Sequence, residues 1–134
     1  MEEMKEFFKR DKFAHYCGIK LLKVSEGRAK TEMEIKEEHL NGLNTIHGGA
    51  IFTLADFTFA AAANSYGQIT VAINASITYM KAVTTGKITA EAREISRNPK
   101  LSTYTIDVYD ETGDVIAIFQ GLAYQKRGSI SSLM

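Results

Sequence analysis

The chain has 134 residues, 16 Lys and Arg balanced by 16 Asp and Glu, one proline and one cysteine. That length fits a single domain whose core needs no staples, and zero formal charge removes the basic face that a nucleic-acid partner requires. The lone Cys17 rules out an internal disulfide, and the N-terminus MEEMKEFFKR lacks the basic start and long apolar run of a secretory leader, so a cytoplasmic location is expected.

In chain order, Met4, Phe7 and Phe8 share one face at helical spacing, which predicts a short amphipathic helix over 3–11. Residues 18–24 read as a first strand, and Ser25, Glu26, Gly27 and Arg28 supply a turn. Residues 29–36 alternate small or apolar with charged side chains, the pattern of a half-exposed strand. After an Asn- and Gly-rich loop over 39–47, a helix begins that is apolar on nearly every side and carries one charge, Asp56. Its apolar stretch, 50–63, is too short to cross a bilayer, and no membrane partner is expected.

Period two then returns. Val71, Ile73, Ala75, Ile77 and Tyr79 mark one face of a third strand, and Ile88, Ala90 and Ala92 one face of a fourth. Tyr104, Ile106 and Val108 mark a fifth, and residues 115–125 form a sixth after the hairpin loop 110–114. A helix this apolar has to be wrapped, and short connections make its neighbours antiparallel. The expected architecture is α+β: a curved six-stranded antiparallel sheet around one long helix. It occupies 1–126, with a flexible tail over 127–134.

Asn41-Gly42, His47-Gly48-Gly49, Leu54-Ala55-Asp56 and the NASITYM stretch over 74–80 together resemble the hotdog-fold acyl-CoA thioesterases, in their PaaI-like subgroup. The resemblance spans roughly 15–125. It implies a sheet order of 1-2-4-5-6-3, a homodimer paired along the third strands, and a homotetramer built from two such dimers. It also implies acyl-CoA as substrate, with no cofactor and no metal. Matched by position, Asp56 is similar to the catalytic carboxylate and Gly48 to the residue whose N–H polarises the thioester carbonyl. Asn41 and His47 match supporting polar positions. Ala60 and Ala72 stand where some relatives carry hydroxyls.

The chemistry can be argued without the resemblance. The first turn of a helix has N–H groups with no intrahelical partner, and Gly48-Gly49 lets a substrate oxygen approach them. Asp56 lies eight residues on, about 12 Å along the axis at 1.5 Å per residue. One carbonyl cannot be polarised and attacked by groups that far apart. Two antiparallel helices side by side bring the start of one to the middle of the other, giving a two-fold dimer with two composite sites. Asp56 then acts as a general base on water or as a nucleophile. A thiolate, from a thiol of pKa about 8.5, leaves without a strong general acid. The competing structural reading has Asp56 bonded to Thr53, Thr58 or backbone.

His47 shapes the loop that aims Gly48. Asn41 either holds water or the thioester oxygen, or serves as ordinary turn chemistry. Gly49, Phe57, Ala60, Ala72 and Asn74 are candidate substrate contacts; Phe57 and Phe59 are pocket walls or core. Arg93 and Arg97, with Lys100, Lys126 and Arg127, are candidates for the phosphates of coenzyme A. His15, His39, His47 and Cys17 lack zinc-site spacing, and no serine-hydrolase elbow or nucleotide fingerprint is present. The expected function is hydrolysis of an aromatic or medium-chain acyl-CoA to free acid and CoA. The alternatives are a hotdog hydratase or dehydratase, and a non-catalytic acyl-CoA-binding protein.

Overall fold

Alternation builds the sheet as the sequence pattern predicts. In β2 (Arg28–Glu34) the buried positions are Ala29, Thr31 and Met33; in β4 (Lys87–Arg97) they are Ile88, Ala90 and Ala92. In β5 (Leu101–Tyr109) Tyr104, Ile106 and Val108 turn inward, and in β6 (Val115–Ser129) Ala117, Phe119 and Ala123 do. The computed structural model describes residues 2–134. With β1 (Ile19–Ser25) and β3 (Gln68–Tyr79) as edges, the antiparallel order is β1-β2-β4-β5-β6-β3.

The long helix, named α3 here (Gly48–Ala63), lies chiefly across β2, β4 and β5. Small side chains on both surfaces let it approach closely: Ala55, Ala61 and Ala62 on the helix meet a sheet carrying Ala29, Ala90, Ala92 and Ala123. The tightest point is Gly121, where a Cβ would come within 2.6 Å of the Phe59 ring. Phe59 is 1% exposed, with the Tyr104 and Phe119 rings 5.6 and 5.7 Å away, so it is core and not a pocket wall. Among the described residues no helix is long and apolar enough to cross a membrane.

Three expectations need correction. The N-terminal helix is two helices, α1 (Glu2–Phe8) and α2 (Lys12–Cys17). Asp11 starts the second, beyond the expected 3–11 span, by accepting the Ala14 N–H, and Gly18 at φ +81° stops it before β1. The expected loose tail is ordered: β6 runs on to Ser129, and a 3-10 turn (Ile130–Leu133) buries Ile130. The Ile130 N–H bonds to the Gly67 carbonyl, so an apolar side chain and a backbone bond hold what composition suggested was free.

The third correction concerns β3. Its register against β6 shifts between Ala72 and Asn74, leaving Ile73 as an inserted residue. Paired residues share a face, so Thr70 and Ala72 point to the same side as Gln125 and Ala123. After the bulge Ala75, Ile77 and Tyr79 do so, opposite Gly121, Phe119 and Ala117. Val71 and Asn74 are on the outer face, and the single apolar face expected over 71–79 is split in two.

Candidate active site

Four N–H groups at the start of a helix lack intrahelical acceptors. In α3 His47 supplies acceptors for two of them, and the His39 carbonyl takes the N–H of His47 itself. His47, the N-cap, takes the Gly49 N–H on Nδ1 at 2.7 Å, and its carbonyl takes those of Ala50 at 2.9 Å and Ile51 at 3.3 Å. The Gly48 N–H alone makes no hydrogen bond among the described residues. A carbonyl that accepts two bonds polarises its own peptide, and the Gly48 N–H belongs to that peptide, so the free donor is also a strengthened one. Because Nδ1 is the acceptor, His47 carries no proton there.

Tyr79, from the end of β3, fixes the next peptide. Its hydroxyl donates to the Gly48 carbonyl at 3.0 Å, and its ring lies so close that a Cβ on Gly48 would meet Cζ at 3.1 Å. A Cβ here would make the Tyr79 ring give way by a few tenths of an ångström, so glycine suits the close approach. The recess beside the donor holds about 410 Å³ and is lined by Gly48, Ile51, Tyr79 and Met80, among others. Further back, the His47 N–H bonds to the His39 carbonyl at 2.7 Å. The buried His39 ring accepts the Lys36 N–H on Nδ1, so its Nε2 donates to the Cys17 carbonyl at 2.8 Å. The loop carrying the donor is thereby tied to the end of α2.

The sheet covers most of α3 but leaves a stripe: Gly49 is exposed, and Phe52, Thr53, Asp56 and Ala60 are half-buried. The Asp56 carboxylate accepts no hydrogen bond among the described residues. Thr53 donates instead to the Gly49 carbonyl and Thr58 to that of Leu54, so the structural reading of Asp56 has no partner to support it. Burial, and to a lesser extent the like charge of Asp11, push the Asp56 carboxyl above the ordinary carboxylate range.

The other expected site residues divide. Gly48, Gly49, His47, Asp56 and Ala60 share one end or one stripe of α3. Asn41 closes its own loop: its Oδ1 accepts the Leu43 and Thr45 N–H groups and its Nδ2 donates to the Thr45 hydroxyl, which is turn chemistry. Phe57 is 6% exposed and packs edge-on to Phe8 at 6.0 Å, while also lining a cavity under α1 and α2. The bulge separates Ala72, on the helix side, from Asn74, on the outer face.

Arg93 points outward from β4, its register partners being Arg28 and Thr105. Arg97 is engaged elsewhere: it stacks 3.7 Å over the Tyr66 ring and donates to Gln125, at the end of α3 remote from Gly48. Lys100 and Lys126 reach the same end through backbone bonds to Gln125 and Gln68. Tyr79, His39 and Asp11 were not singled out by sequence reasoning. Only Tyr79 left a trace, as part of the NASITYM stretch.

The thioesterase superfamily model matches residues 43–117, which include Gly48, Asp56 and Tyr79. A candidate esterase of Archaeoglobus fulgidus is 43% identical over 127 residues, covering 93% of this chain and 82% of its own length. The acyl-coenzyme A thioesterase PaaI of Escherichia coli is 30% identical over 125 residues, 92% of this chain and 89% of that protein. The solved structure of E. coli PaaI, a protein of the phenylacetic acid degradation operon, superposes with a TM-score of 0.92 at 29% identity, covering 96% and 94% of the two chains. With its six-stranded sheet around one helix, this chain belongs to the thioesterase superfamily and is a thioester hydrolase of the hotdog fold.

Proposed function

We propose that the chain hydrolyses acyl-CoA thioesters as a two-fold dimer. In this reading the Gly48 N–H of one subunit and the Asp56 carboxylate of the other address one carbonyl. The observation that carries it is a complementary pair of unpartnered groups: one free N–H at the mouth of α3, and one half-buried, unbonded carboxylate on its open stripe. About 12 Å of helix separates them within a chain, and antiparallel apposition of two α3 stripes closes that gap.

As base, Asp56 takes a proton from water as that water adds to the carbonyl carbon. As nucleophile, its carboxylate adds instead, and water later hydrolyses the mixed anhydride left when the thiolate departs. Negative charge gathers on the oxygen and is held by the Gly48 N–H, and the C–S bond breaks to release the CoA thiolate. Burial favours the base role, since a carboxylate of raised pKa takes a proton from water more readily. The name of the E. coli relative, acyl-coenzyme A thioesterase PaaI, supports coenzyme A as the thiol carrier.

A panel of acyl-CoAs assayed with a thiol-trapping dye tests the reading. Asp56→Ala is expected to lower kcat about a thousandfold while acyl-CoA still binds. Undiminished thiol release by that variant would remove Asp56 from the mechanism. A hydratase would release no thiol at all.

A further inference from the structure

We infer that the cavity enclosed by α1, α2, β1 and α3 receives the apolar acyl group of the thioester, and that Phe8, Ala14 and Phe57 decide which acyl groups fit. The inference rests on the thioesterase reading above and names the part of the substrate held by this part of the fold.

The cavity holds about 270 Å³, and Phe8, Ala14, Leu21 and Phe57 line it, with Asp11 and lysines among the remainder. A dry cavity of about 150 Å³ already accommodates benzene, and sites for whole small molecules begin near 300 Å³. The volume therefore suits a ring on a short linker or a chain of several methylenes, and excludes the nucleotide half of coenzyme A. Phe8 and Phe57 meet edge to face at 86°, and both are nearly fully buried, so together they form a firm apolar wall, with Asp11, His15 and three lysines also on the lining.

Position links the cavity to the reaction. Phe57 follows Asp56 on α3, about 100° around the helix from it, so the lining flanks the open stripe. Asp11 closes the connection: it lines the cavity, and its charge acts on the Asp56 carboxyl. Asp11 is held in place by capping α2 through the Ala14 N–H at 2.9 Å. The division of labour follows the chain. Gly48 and Asp56 lie inside the family match over 43–117, whereas α1, α2 and β1 lie outside it. The segment matched by the family model supplies the chemistry, and the preceding segment supplies most of the wall that selects the acyl group.

Each methylene buried in such a cavity strengthens binding roughly fourfold. Calorimetric titration with three unreactive CoA thioethers, S-methyl, S-hexyl and S-(2-phenylethyl), tests the assignment without turnover. The protein is expected to bind the two larger tails at least tenfold more tightly than S-methyl-CoA. Ala14→Phe, which fills the cavity, should abolish that preference. If Ala14→Phe melts too low to be used, Leu21→Ala, which enlarges the cavity, should shift the preference toward S-octyl-CoA. Equal affinity for all tails in the unaltered protein, or a preference unmoved by the variant that folds, overturns the inference. Thiol release from acyl-CoA without any tail preference sinks the cavity alone. Tail preference without thiol release sinks the hydrolytic reading and leaves the cavity as a binding site for acyl tails.

Discussion

The two ends of α3 dispose of their polar groups in opposite ways. At the C-terminal end, Asn64 donates to the Ala60 and Thr70 carbonyls and accepts the Thr70 N–H, while Ser65 donates to the Ala62 carbonyl and accepts the Gly27 N–H. Glu94 accepts the hydroxyls of Tyr66 and Tyr104, each at 3.1 Å, and Arg97 bridges the Tyr66 ring and Gln125. Only the buried Ser102 Oγ lacks a partner among the described residues. At the N-terminal end three of the four helix donors are bonded, two of them to His47, and that of Gly48, a residue lining a recess, is left free among the described residues. Near-saturation at one end suits a structural role, and the donor left free at the other is the one the proposed hydrolysis would use.

Substitutions at the two ends should therefore separate turnover from stability. The largest contrast is Asp56→Ala, whose loss of turnover should be accompanied by a higher Tm at neutral pH. Burial raises the folded pKa of this carboxyl, so its charged form opposes folding above that pKa. The gain should vanish below the ordinary carboxylate range, where the group is protonated in both states. A Tm that falls at pH 7 would place Asp56 in a stabilising contact.

Next in size is Tyr79→Phe, which removes the donor to the Gly48 carbonyl. It should lower kcat fivefold to tenfold, the worth of one neutral hydrogen bond, with KM unchanged. A change in KM alone would assign Tyr79 to binding. At the opposite end Glu94→Ala leaves the 1% exposed Tyr104 hydroxyl without its acceptor. The expected cost is about 1–3 kcal/mol of stability by thermal or urea unfolding, with kcat intact.

The smallest effect is expected from Asp11→Asn. Asparagine caps a helix as aspartate does, so α2 should survive. Loss of the like charge should move the acid limb of the kcat/KM profile to lower pH, because Asp56 then ionises more easily. A limb that does not move would break the coupling between the cavity wall and the carboxylate.

Much of this was legible in the sequence wherever a pattern repeats. Strands β2, β4, β5 and β6 show it in alternate residues, and α3 in an apolar run too continuous for a surface helix. Features decided by one residue were not legible. The Asp11 and Gly18 caps begin and end α2, and the insertion at Ile73 reverses faces midway through β3. That insertion is why Ala72 and Asn74, two apart and expected at one site, sit on opposite sides of the sheet. Near the candidate site, the place of His47 and Gly48 at the start of α3 was readable because helix-start geometry is local. The engagement of Arg97 with Tyr66 was not, because the two meet only through tertiary packing.

The same insertion has a bearing on how the molecule avoids polymerising. β3 is an outermost strand of the sheet, and an unbroken outermost strand offers a template to any other extended chain. Ile73 breaks the regular ladder, leaving six regular residues, 74–79, beyond the interruption. A dimer paired along the third strands would be limited to that short run, which discourages fibres.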